Sequence, residues 1–261
     1  MPRRTFADLL LLGRPAIGTW SQVAAPELID MIGAGGFDFT IVDCEHGAFG
    51  LAQAENLFRA CDAAGLSPLV RAPALDPGWI GRALDSGAEA VIVPGIASAA
   101  QAALAVAATR FAPEGSRGAC PCVRAGGHFI RDWRGHVAAE QAKGVIALVE
   151  TAAGLREIEA ICATPGLLGL LVGPFDLSVS MGLAGDYRDP QVEAAMERMA
   201  GAARTAALPL IAPVFDPDAD ETARQSARWI ARGARLLAVA TDKILFSDAV
   251  RRQRGAVANQ I

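Results

Sequence analysis

The stretch Val145–Ala163, VIALVETAAGLREIEAICA, holds the pattern on which the whole chain is built. Its first part, Val145–Glu150, is unbroken apolar sequence up to a closing acid. That suits a parallel strand covered on both faces, where hydrophobic and polar positions do not alternate. An Ala-rich helical stretch follows at once. The same unit recurs outward in both directions. Strands are expected at Ala16–Ser21, Asp38–Asp43, Pro68–Arg71, Ala90–Pro94, Leu168–Gly173, Pro209–Pro213 and Leu236–Thr241. Helices are expected at Pro26–Gly33, Leu51–Ala63, Trp79–Ser86, Ser98–Thr109, Ala152–Ala163, Gln191–Ala206, Pro217–Arg232 and from Lys243 onward. Several open on N-terminal signals such as Ala25-Pro26-Glu27, Asp76-Pro77 and Asp216-Pro217. Eight strands alternating with helices imply an α/β fold, a closed (β/α)8 TIM barrel; an open doubly wound sheet is the structural alternative.

The 261 residues suit one barrel domain spanning 1–261, without linker or low-complexity segment. The exception to the βα rhythm is Phe111–Lys143, a long Gly- and Arg-rich stretch expected to form a lid or to contain extra helix. Hydrophobic residues make up 52% and charged residues 20%, which excludes a disordered chain. The net charge of −4, with both signs interspersed, offers no footprint for nucleic acid or an anionic membrane. No window approaches the roughly 18 apolar residues of a membrane span. The basic start and short leucine run of MPRRTFADLLLLGRP read as an amphipathic helix, not a signal peptide. Five scattered cysteines read as reduced thiols, and the cytoplasm is the expected location. Cys120-Pro121-Cys122 lacks the second cysteine pair of a zinc site.

Function is read from the strand ends, because barrel active sites lie at the C-terminal ends of the strands. In order these carry Trp20-Ser21, Asp43-Cys44-Glu45-His46, Arg71, Pro94, Glu150, Gly173-Pro174-Phe175-Asp176 and Asp242. Glu150 and Asp176 offer hard oxygen ligands on neighbouring strands, which suits a divalent cation, magnesium or manganese, with cobalt a further candidate. Each could instead cap a helix or pair with an arginine. His46, beside two acids, is a candidate acid/base. Arg71 closes a buried strand and must face a carboxylate or developing negative charge. The turn Gly173–Asp176 can present backbone N–H groups to an anion. Acids in the last two strand-end loops would repel phosphate, so a carboxylate substrate is expected. The two lysines, Lys143 and Lys243, are badly placed for a Schiff base, which favours a metal-stabilised enolate.

These residues together resemble the HpcH/HpaI aldolase family, metal-dependent class II pyruvate aldolases. The matching segments are Gly18-Thr19-Trp20, Asp43-Cys44-Glu45-His46, Val70-Arg71, Leu84-Asp85-Ser86-Gly87-Ala88, Val91-Ile92-Val93-Pro94, Arg110–Gly118, Val149-Glu150-Thr151 and Gly173–Ser178, in family order across nearly the whole chain. The resemblance implies a lyase that cleaves 4-hydroxy-2-oxo acids to pyruvate and an aldehyde. It implies a cation on Glu150 and Asp176, enolate stabilisation by Arg71, proton transfer by His46, and support from Asp43 and Asp85. Trp20, Gly173, Pro174, Phe175 and Leu148 would line the substrate site. It also implies a homo-oligomer, a hexamer whose C-terminal helix is exchanged between partners. Two departures stand out. Leu148 occupies the inward-facing position where the family commonly has glutamine, and Phe175 replaces a small residue. Two other functions remain open. One is an acyl-CoA lyase of the citrate-lyase β-subunit type, with Arg117, Arg124, Arg131 and Arg134 supplying a basic patch at the mouth. The other is a non-catalytic 2-oxo-acid-binding barrel.

Overall fold

Eight strands pair in sequence order and close on themselves: β1 (Ala16–Ser21), β2 (Phe39–Asp43), β3 (Ser67–Arg71), β4 (Ala90–Val93), β5 (Gly144–Val149), β6 (Leu167–Val172), β7 (Leu210–Val214) and β8 (Ala234–Thr241). Every neighbouring pair is parallel, and β8 closes on β1 with Ala16 opposite Leu236. The computed structural model describes residues 3–258. The closed barrel settles the choice against an open sheet. Each expected strand is present, with ends within two residues of those read from the apolar runs.

The helices are α1 (Phe6–Leu10), α2 (Pro26–Ala34), α3 (Leu51–Ala64), α4 (Pro77–Asp85), α5 (Ala99–Ala107), α6 (Trp133–Glu140), α7 (Ala152–Arg156), α8 (Ile158–Cys162), α9 (Pro174–Ser180), α10 (Pro190–Thr205), α11 (Ala219–Ala231) and α12 (Asp242–Ala258). The single helix expected after β5 is two. Thr151 caps the first turn and Gly154 sits so close to Ile96 that a Cβ there would lie 2.6 Å from its carbonyl oxygen. Glu157 then leaves helical geometry before α8 buries Ile158 and Ile161.

Strand alternation sorts the core into two layers. Ile41, Leu69, Ile92, Ile146, Leu148, Leu171, Ile211 and Leu236 fill the barrel interior, and Phe6 and Leu9 of α1 join that cluster. Val42, Val70, Val91, Ala147, Val172 and Ala212 face outward against the helices. This is why the strands read as continuously apolar. The same alternation carries Glu150, two residues after Leu148, to the inner side at the mouth.

Phe111–Lys143 does contain an extra helix, α6, but it forms no lid over its own mouth. Arg117 pairs with Asp85, the last residue of α4, and with Glu140 of α6; Arg124 donates to the Ser86 carbonyl. These partners lie where helices end and strands begin, at the foot of the barrel. The last helix, α12, buries only Asp242 and leaves Leu245, Phe246, Val250 and Val257 exposed.

Candidate active site

Asp43 and Arg71 sit opposite each other at the ends of β2 and β3 because the register pairs them directly. Asp43 is fully buried. Its Oδ1 accepts from Arg71 Nε at 2.9 Å and its Oδ2 from Arg71 Nη2 at 2.6 Å, a bidentate pair. The backbone N–H groups of Glu45 and His46 donate to Oδ1, and Gln22 Nε2 donates to Oδ2 at 2.8 Å. Burial alone would push the Asp43 carboxyl up, yet Arg71 and these donors hold it below the usual carboxylate range. The guanidinium stacks on Trp20, 4.5 Å from the ring centroid, and Glu45 approaches its Nη1 at 3.1 Å. One edge and one face of Arg71 are therefore fixed, and it lines the cavity at the barrel mouth.

Glu150 follows β5 and Asp176 lies in the first turn of α9, after β6. Gly95 N–H donates to Glu150 Oε1 at 2.8 Å. Gly173 closes in on the other side: a Cβ there would lie 2.8 Å from Glu150 Oε2, so only glycine lets the carboxylate stand in this place. Burial raises the Glu150 pKa to about 7, and the negative charges of Asp176 and Glu45 add to the shift against the Gly95 hydrogen bond. Glu45 is raised as well, chiefly by burial. No third His, Cys, Asp or Glu completes a closed metal cage among the described residues. Two acids with an excess of negative charge around them nevertheless fit an open magnesium or manganese site, where water and substrate supply the remaining ligands. A divalent cation would offset the burial and the repulsion that together raise Glu150.

A cavity of about 1350 Å³ opens over this cluster. Trp20, His46, Arg71, Leu148, Glu150, Gly173, Pro174, Phe175 and Asp176, all read from the sequence as site residues, line it. Leu148 is buried at its floor, so the wall beside Glu150 is apolar where an amide was the family norm. Phe175 is exposed, with its ring edge against Gly185. It stands at the lip and does not narrow the floor. His46 is exposed, next to Asp43 through its backbone only.

Three expectations need correction. Asp85 does not join the cluster. It ends α4 at the foot of the barrel, and its Oδ1 accepts from Arg117 Nη2 at 2.6 Å. A helix-end acid and a strand-end acid look alike in a motif, and only chain direction separates them. Arg117 and Arg124, expected as a basic patch at the mouth, are tied down at that same foot. Asp242 faces no substrate: its carboxylate accepts from the backbone N–H groups of Gln22, Val23 and Lys243, locking the end of β8 to the loop after β1. Sequence reading also missed Gln22 and Phe215. Gln22 lies one position past the end of β1, and Phe215, 6.0 Å from Trp20 between ring centroids, directly follows β7. Reading one residue beyond each strand would have found both.

The chain is similar to known proteins along nearly its whole length. The hydroxypyruvate/pyruvate aldolase of Paraburkholderia phytofirmans is 35% identical over 91% of this chain and 91% of its own. A 4-hydroxy-2-oxo-heptane-1,7-dioate aldolase of Salmonella paratyphi C is 31% identical over 94% of this chain and 91% of its own. The crystal structure of an HpcH/HpaI aldolase/citrate lyase family protein from Burkholderia cenocepacia superposes with a TM-score of 0.87 at 34% identity, covering 96% of this chain and 98% of that one. Residues 16–249 match the family described as HpcH/HpaI aldolase/citrate lyase, and the chain belongs to that family.

Proposed function

We propose that this chain is a divalent-metal-dependent aldolase that cleaves 4-hydroxy-2-oxo acids to pyruvate and an aldehyde. One observation carries the reading: two carboxylates, Glu150 and Asp176, line one cavity with the Arg71 guanidinium, which Asp43 holds by two hydrogen bonds. In the cleavage direction a base takes the proton of the 4-hydroxyl, the C3–C4 bond breaks, and its electrons pass to C3–C2 to give the enolate of pyruvate. The aldehyde departs, and protonation at C3 yields pyruvate. Arg71, held in place by Asp43, faces the enolate oxygen where negative charge develops. His46, exposed at the lip with its imidazole clear of the Asp43 pair, moves the proton. The first-turn amides of α9, at Phe175 and Asp176, meet the substrate carboxylate. A magnesium or manganese ion held by Glu150 and Asp176 would supply Lewis acidity at the 2-oxo group.

The acyl-CoA reading is not favoured: two of the four arginines offered as its basic patch, Arg117 and Arg124, are tied to acids at the foot. The exposed apolar side chains of α12 favour a homo-oligomer in which this helix packs on a neighbouring subunit, and a hexamer is the expected size in solution. Five free cysteines suit the reducing cytoplasm, and none of the described helices is long and apolar enough to cross a membrane. The test is pyruvate release from a 4-hydroxy-2-oxo acid. Release should stop in excess EDTA and return with added manganese; undiminished release in EDTA would reject the reading.

A further inference from the structure

Gln22 and Gln225 are the two uncharged amides lining the cavity; Gln22 is the one bonded to the Asp43–Arg71 pair, and its orientation is fixed by chemistry. Asp43 at neutral pH has only acceptor oxygens, so the group that Gln22 turns toward it must be the NH2. The carbonyl oxygen Oε1 therefore faces away from Asp43, with no hydrogen-bond partner among the described residues, on a side chain that lines the cavity. Its backbone is pinned as well, since Gln22 N–H donates to Asp242 at 2.9 Å. Of the other side chains lining the cavity, Trp20, Leu148 and Arg71 offer no acceptor, whereas Glu150, Asp176 and Thr241 carry oxygens. An amide oxygen locked in this way offers lone pairs alone. It rejects carboxylate and carbonyl oxygens and accepts from a hydroxyl.

We propose that Gln22 is a specificity residue that recognises a substrate hydroxyl, an inference that rests on the aldolase reading. Two hydroxyls have the right chemistry: the one on C3 of a hydroxypyruvate donor, and the one next to the carbonyl of a hydroxylated aldehyde. The two sources are separated by measuring kcat/KM in the condensation direction, with manganese, for three pairs. These are pyruvate with propanal, hydroxypyruvate with propanal, and pyruvate with glycolaldehyde. Each is measured for the wild type, Gln22→Met and Gln22→Lys. Methionine removes both donor and acceptor; lysine keeps a donor for Asp43 and has no acceptor.

A lost hydrogen bond of this kind is worth about fivefold to tenfold in discrimination. In both variants the advantage of one hydroxylated pair over pyruvate with propanal should fall by about that factor, and the arm that falls identifies the hydroxyl. A residue that merely positioned Arg71 would slow all three pairs together and leave the ratios intact. Ratios unchanged within twofold in both variants overturn the proposal. So does a fall in the methionine variant alone, which would assign Gln22 to holding Asp43. If Gln22→Met does not fold by circular dichroism, the lysine variant decides by itself. If the wild type joins no pair at all, the aldolase reading fails and takes this inference with it.

Discussion

The two ends of this barrel hold the same kinds of side chain in opposite electrical states. At the foot, five acids are each met by a cation. Asp38 pairs with Arg4 and Arg14, Asp62 with Arg3 and Arg124, Glu89 with Arg3, Asp85 with Arg117, and Glu140 with Arg117 and Lys143. At the mouth, Asp43, Glu45, Glu150 and Asp176 gather around one guanidinium, Arg71. Glu140 and Glu150 make the contrast sharpest. Burial raises both, yet Lys143 and Arg117 bring Glu140 below its ordinary value, while Glu150 rises to about 7. Buried charge that is matched holds the fold together. Charge left in excess around the half-buried Glu45 and Glu150 and the exposed Asp176, at the end where barrels work, marks a site waiting for a cation and an anionic substrate.

The largest expected effect separates the ends by catalysis. Arg71→Ala should lower kcat by roughly a hundredfold to a thousandfold, the usual cost of losing one donor at a developing oxyanion. It also takes away the cation paired with buried Asp43, so folding is checked by thermal melt. A well-folded Arg71→Ala enzyme of near-normal kcat would remove the enolate role.

Stability should separate the ends next, and with opposite sign. Glu140→Gln leaves Arg117 and Lys143 without their shared acid and should cost about 3 kcal/mol in denaturant unfolding, with kcat preserved in the folded fraction. Glu150→Gln removes an unmatched charge, so the cation-free protein should be no less stable than the wild type at pH 8, while activity is lost. Equal destabilisation by both would erase the distinction drawn between foot and mouth.

A smaller effect appears with pH. Because the folded Glu150 pKa lies above its ordinary value of 4.5, its protonation favours the cation-free fold. That contribution is complete below about pH 4.5 and fades as pH rises through 7. Cation binding needs the ionised form, so affinity should fall about tenfold per unit as pH drops below 7 and level off above it. Calorimetric titrations at pH 6, 7 and 8 check this; an affinity independent of pH would contradict the raised Glu150.

Much of the fold was legible because strands covered on both faces leave a plain trace. Val145–Val149 and Leu167–Val172 are apolar throughout, and each ends near the residue that matters. The charged pair Asp43 and Arg71 was legible as strand-end residues, though their mutual hydrogen bonds were not, since register across two strands is invisible along the chain. Asp85 was misplaced because a family motif carries no direction relative to the barrel axis. The long Phe111–Lys143 segment could be recognised as irregular, but its docking at the foot depends on Arg117 reaching both Asp85 and Glu140, contacts no local pattern encodes. Gln22 escaped notice because an amide becomes informative only when the partner that fixes its orientation is known.

The proposed chemistry requires Glu150 and Asp176 to act together on one cation. Titrating cation-free protein with manganese by isothermal calorimetry at pH 8 tests this most directly. One site per chain is expected in the wild type, with no measurable binding in either Glu150→Gln or Asp176→Asn. A wild type that binds no manganese, or a variant that keeps the site at full affinity, would contradict it.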